Sequence, residues 1–71
     1  MMNTFALEGH PHVDLCDLLK LDGCCDSGGA AKQAIEAGLV NVDGKVEYRK
    51  RCKILAGQVV DFAGRRIRVT E

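Results

Sequence analysis

The dipeptide Asp43-Gly44 constrains this chain more than any other feature. It stands between Val40-Asn41-Val42 and Lys45-Val46-Glu47-Tyr48, two runs in which apolar and polar residues alternate. A two-residue hairpin loop of type I′ needs positive φ at both central positions, which Asp-Gly supplies at little cost, so the pattern predicts two antiparallel strands. Val40 and Val42, then Val46 and Tyr48 on the return strand, are expected on the inward face. With 71 residues in all, the chain has room for a single domain, residues 1–71. At that size a core rarely supplies more than ~3–5 kcal/mol of net stability, so local structure must be well specified.

The flanking segments follow the same logic. Thr4-Phe5-Ala6-Leu7 alternates weakly and suits an edge strand that ends at Gly9-His10-Pro11. From His12 to Leu21 the apolar residues Val13, Leu15, Cys16, Leu18 and Leu19 recur at three- and four-residue spacing, which predicts a helix stopped by Gly23. Ser27 is a good N-cap for a second helix and Gly38 its natural stop, with Ala31, Ala34 and Ile35 as a narrow apolar stripe. About three turns long, that helix must pack on the first to persist. Beyond the hairpin, Cys52 and Ile54 resume alternation, Ala56-Gly57-Gln58 turns the chain into Val59–Phe62, and Ala63-Gly64 turns it into Arg65–Val69. Ile67 and Val69 are expected to face in, Arg66 and Arg68 out. The order predicts a small α+β domain: two packed helices followed by about four short antiparallel strands.

The formal net charge is zero, but its distribution is uneven. Residues 1–40 carry two bases against six acids, a balance of −4; residues 41–71 carry eight bases against four acids, a balance of +4. Such a split predicts two electrostatic ends, one able to attract a polyanion. No basic segment followed by an apolar run marks a signal peptide, and no apolar stretch approaches ~18 residues. A cytoplasmic protein with no membrane segment is expected.

Arg49-Lys50-Arg51 with Lys53 is the sharpest candidate site, and Lys45 lies on the hairpin just before it. Clustered cations of this kind contact phosphates and release counterions. Ser27-Gly28-Gly29 opens the second helix with uncovered backbone N–H groups, an anion site in principle, and Lys32 lies one turn further on. Asp26 just before it opposes that use, and Lys32 could instead form a weak surface pair with Glu36. Zinc is not expected: Cys16, Cys24, Cys25 and Cys52 lack paired Cys-x-x-Cys spacing, and Cys16 and Cys52 fall on apolar faces as core residues. His10 and His12 flank Pro11 with no ligand or catalytic partner evident. No catalytic constellation, phosphate loop or dinucleotide fingerprint is present, so neither an enzyme nor a cofactor is expected.

The segments Gly38-Leu39-Val40-Asn41-Val42-Asp43-Gly44-Lys45-Val46 and Ile54-Leu55-Ala56-Gly57-Gln58-Val59-Val60, preceded by a helix pair, resemble the αL RNA-binding domain. That domain is named for small-subunit ribosomal protein S-four and recurs in pseudouridine synthases and tyrosyl-tRNA synthetases. The resemblance covers about residues 10–64. It implies that the loop carrying Arg49, Lys50 and Arg51 faces RNA. Two departures shift weight onto that loop: Gly28 and Gly29 follow Ser27 where many relatives have Arg, and the first helix opens with Asp14 and Asp17 and lacks an Arg.

The resulting expectation is a monomeric module for structured RNA, ribosomal or transfer RNA. Its contacts would come from Ser27, Gly28, Gly29, Lys32, Lys45, Arg49, Lys50, Arg51 and Lys53. Three aromatic residues, Phe5, Tyr48 and Phe62, are few for serial base stacking and suit a reader of shape and phosphate. The alternative is a protein-interaction module that uses its acidic half or an exposed strand edge. A third, thiol redox chemistry at Cys24 and Cys25, is testable by thiol titration.

Overall fold

The computed structural model describes residues 2–71. The elements run β1 (Met2–Ala6), β2 (Val13–Asp14), α1 (Leu15–Leu21), α2 (Gly28–Glu36), β3 (Val40–Val42), β4 (Lys45–Val46), β5 (Lys53–Ile54), β6 (Val59–Phe62) and β7 (Arg65–Thr70). Five strands form one sheet in the order β1-β7-β6-β3-β4, and β2 pairs with β5 in a separate two-stranded ribbon. The α+β class and the helix pair hold.

Local signals fix most of these elements. The Ser27 hydroxyl accepts the backbone N–H of Ala30 at 3.1 Å, which caps α2. At its other end Gly38 lies at φ +77°, and the N–H groups of Gly38 and Leu39 return to the carbonyls of Ile35 and Ala34 at 3.1 Å each. That paired return is the Schellman closure a glycine stop permits. Asp43 and Gly44 take φ +52° and +84°, as a type I′ two-residue turn requires. The Asp43 carboxylate also accepts from the Val59 N–H at 3.0 Å and the Gln58 amide at 3.1 Å. These bonds hold it below the usual carboxylate range and tie the hairpin to the start of β6.

The helices cover one face of the sheet. Leu15, Leu18 and Leu19 from α1 and Ala31, Ala34 and Ile35 from α2 meet Val40, Val42, Val60, Ile67 and Val69 from the strands, with Ile54 and Leu7 completing the core. Cys16 is buried there, while Cys24, Cys25 and Cys52 are half-buried against it.

Four expectations need correction. First, five strands follow the helices where about four are expected, and a second short strand, β2, joins the expected edge strand ahead of them. That edge strand, β1, pairs with β7 in parallel, Met2 opposite Arg66 through Ala6 opposite Thr70. A parallel partner lies far off in sequence and leaves no hairpin signal. Second, α1 begins at Leu15, because Val13 and Asp14 pair with Ile54 and Lys53 instead of starting a helix. Third, Val46 and Tyr48 face outward, 47% and 62% exposed. In the hairpin Val42 is paired with Lys45 and Asn41 with Val46, so Val46 shares the outer face with Asn41. Fourth, the charged halves interleave: β1 lies against β7, Asp22 meets Arg65 at 3.8 Å and Glu36 meets Lys50 at 3.5 Å. The acidic and basic halves of the sequence are therefore not separate bodies in space.

Candidate nucleic-acid interface

The chain from Glu47 to Cys52 leaves the short edge strand β4 and returns through a tight turn, with the Cys52 N–H donating to the Arg49 carbonyl at 3.2 Å. Lys50 and Arg51 therefore occupy its corners. The loop is held from beneath by backbone atoms. The first N–H groups of α1, on Leu15 and Cys16, donate to the carbonyls of Cys52 at 2.9 Å and Lys50 at 3.1 Å. A helix N-terminus leaves such donors without intrahelical partners, and Asp14 supplies no side-chain cap here. The loop serves as the cap of α1.

Side chains divide the cations into bound and free. Arg49 makes a bidentate pair with Glu47, Nε to Oε2 and Nη2 to Oε1 at 3.0 Å each, and its own N–H donates to Oε2 at 3.0 Å. Its side chain remains 77% exposed, whereas Glu47 is only 17% exposed. Lys50 reaches Glu36 in the last turn of α2, so Glu36 pairs across elements and not with Lys32, the alternative partner along its own helix. Among the described residues Lys32, Lys45, Arg51 and Lys53 make no ion pair. Arg51 and Lys53, with Arg49 and Cys52, line a shallow concavity.

The hydrogen bonds from the Arg49 side chain, then its backbone N–H, pull Glu47 down from 4.5 to about 2. A carboxylate with a folded pKa below its unfolded one gives stability that is fully present above the unfolded value and is lost as pH falls through the folded value. The melting temperature of the wild type should therefore exceed that of Glu47→Gln above about pH 4.5, and the gap should close towards pH 2. Exposure of Arg49 to solvent keeps the gap modest. Melting curves over that range measure it, and a gap that does not change with pH would rule the coupling out.

The sequence-derived residues do not gather into one cluster. Lys50 on Glu36, together with the loop carbonyls on α1, places the basic turn at the pole where α1 begins and α2 ends. Ser27, Gly28 and Gly29 lie at the start of α2, about 12 Å away for eight residues at helical rise. Around that second pole lie Asp22, Cys24 and Arg65, whose Nη1 donates to the Gly23 carbonyl at 3.5 Å. Burial is the main influence raising the thiols of Cys24 and Cys25, which disfavours the thiolate that redox chemistry needs. His12 does have a carboxylate neighbour, Asp14, at 3.9 Å. No group of three potential metal ligands occurs among the described residues, and no helix there is long and apolar enough to cross a membrane.

A helix pair with the start of one and the end of the other beside a hairpin's basic exit loop is the arrangement of an αL motif. The S4 domain profile matches residues 5–70, so the chain belongs to the S4 domain family. It is 63% identical over 68 residues to Putative RNA-binding protein YbcJ of Escherichia coli (strain K12), covering 96% of this chain and 97% of that protein. The Uncharacterized protein YbcJ of Shigella flexneri matches with the same identity and coverage. The solution structure of Escherichia coli YbcJ superposes with a TM-score of 0.78 at 60% identity, covering 100% of this chain and 90% of the other. That structure is described as revealing an αL motif involved in RNA-binding.

Proposed function

We propose that this protein is a non-enzymatic module that binds structured RNA, ribosomal or transfer RNA, through phosphate contacts. The observation that carries the reading is the held basic turn: its backbone caps α1 while Arg51 and Lys53 project without acid partners. Family membership and the description of YbcJ support the same ligand class. Arg51, Lys53 and Lys45 would make the primary contacts, and Arg49 and Lys50 would join once a phosphate competes with Glu47 and Glu36. Ser27, Gly28 and Gly29, a helix length away, with Lys32 midway along α2, would meet a different phosphate. A-form helices are recognised largely by shape, phosphates and 2′-hydroxyls, which suits such spaced contacts. The protein would act in the cytoplasm as a monomer.

The test is the salt dependence of binding to fractionated ribosomal and transfer RNA. Neutralising about four phosphates gives a log-log slope of about −3 to −4 against salt. Micromolar binding that stays flat between low and physiological salt would exclude an electrostatic footprint. A protein partner is the competing occupant, and the open edge of β1 beside Glu8, Asp14 and Asp17 favours it. Retention of a protein, with no RNA bound at low salt, would favour that reading instead.

A further inference from the structure

We propose that Tyr48 is a stacking platform for one unpaired nucleobase, so that the preferred RNA is a helix interrupted by a bulge or loop. The inference rests on the RNA-binding reading above and narrows it. Tyr48 is 62% exposed, and the exposed Leu39 and Val46 share its surroundings on the outer side of the β3–β4 hairpin. Continuing the register from Asn41 opposite Val46 by two places sets Tyr48 opposite Leu39. An aromatic ring on this face has no core to enter.

The ring is nonetheless held in place. A Cβ added at Gly38 would lie 3.2 Å from Cε1, 3.3 Å from the hydroxyl oxygen and 3.6 Å from Cζ of Tyr48. The Cε1, Cζ and hydroxyl end of the tyrosine therefore lies close against Gly38 at the end of α2, while most of the residue stays exposed. Its hydroxyl forms no hydrogen bond among the described residues. Gly38 is doubly specified, by φ +77° and by this contact. A tyrosine with two side-chain torsions and one end set against a neighbouring glycine presents contact area at little entropic cost.

Its neighbours supply the rest of a nucleotide site. The residue after Tyr48 begins the basic turn, and Lys50 crosses to Glu36, two residues before Gly38. Tyr48 and Lys50 thus both lie across the end of α2, with Arg51 beyond. A base on the ring would place its own backbone beside cations. Every base has a π-face, so stacking tolerates sequence, whereas a base inside a duplex is already stacked and unavailable. The platform consequently selects for an unpaired nucleotide next to a paired segment.

The chain holds one Tyr and no Trp, so intrinsic emission reports this ring alone. Two labelled hairpin RNAs, identical except for a single-nucleotide bulge, are titrated by anisotropy and by tyrosine emission. The wild type is expected to bind the bulged RNA about tenfold more tightly, a factor equal to ~1.4 kcal/mol. Tyrosine emission should fall with the bulged RNA and change little with the paired one. Tyr48→Phe should keep the preference, while Tyr48→Leu, which retains apolar bulk, should lose it. The salt slope should stay unchanged in Tyr48→Leu, since no charge is removed. Binding of both RNAs without preference, or a preference that survives Tyr48→Leu, would overturn the stacking role while leaving RNA binding intact. Failure of both RNAs to bind would overturn both.

Discussion

Replacing Arg51 and Lys53 together by alanine is expected to weaken RNA binding at least tenfold, with the melting curve almost unmoved. Each cation lost from a phosphate contact lowers affinity and reduces the salt slope by about one. Both side chains are exposed and without ion pairs among the described residues, and surface changes of this kind usually shift stability by less than ~0.5 kcal/mol. The charge-matched control is Arg66→Ala with Arg68→Ala on the outer face of β7, where Arg66 is engaged with Asp61 at 2.9 Å. This control removes the same formal charge and should cost less affinity. Equal losses from the two pairs would mean that only a diffuse field attracts the RNA. Arg49→Ala should fall between them, because that cation must first leave Glu47.

The largest effect on stability is expected at Ile54. Its side chain is fully buried, and it sits on β5 directly after the basic turn, paired with Val13 at the entrance to α1. Truncating a buried Ile to Ala costs about 2–5 kcal/mol, through lost transfer energy and the cavity left behind. A domain this small has about 3–5 kcal/mol in total. Ile54→Ala is therefore expected to be largely unfolded at room temperature by circular dichroism, and RNA binding should be lost with the fold. Ile54→Val, costing about 0.5–1.5 kcal/mol, should remain folded and keep its affinity. A cooperative, native-like melt for Ile54→Ala well above room temperature would show that the loop and core are less coupled than the geometry implies.

What the amino-acid order reveals about this molecule is what local rules govern. The Asp43-Gly44 turn, the Ser27 cap, the Gly38 stop and the outward Arg66 and Arg68 each depend on a few neighbouring residues, and each is legible. The pairing of β1 with β7 depends on residues 64 positions apart, Met2 and Arg66, and nothing in either segment names the other. The facing of Tyr48 was legible by a different rule. Across a two-residue turn the flanking residues pair and share a face, so Lys45 and Glu47 follow Val42 and Val40, which leaves Val46 and Tyr48 outside. Apolar character pointed inward, and register prevailed. At the candidate site the cations are evident as residue types. Which of them are free depends on Glu36 and Glu47, and Glu36 arrives from a helix that no pattern in the loop could announce.

The loop's attachment has an evolutionary corollary. What seats the turn on α1 is a pair of carbonyl oxygens, on Lys50 and Cys52, and every amino acid carries that atom. Neither bond requires a lysine, an arginine or any other particular side chain at position 50 or 51. Mutation can therefore exchange the groups displayed there while the mount keeps its shape, much as interchangeable tips fit one handle. A lineage could move among ligands by altering the display alone, with little cost to the fold beneath.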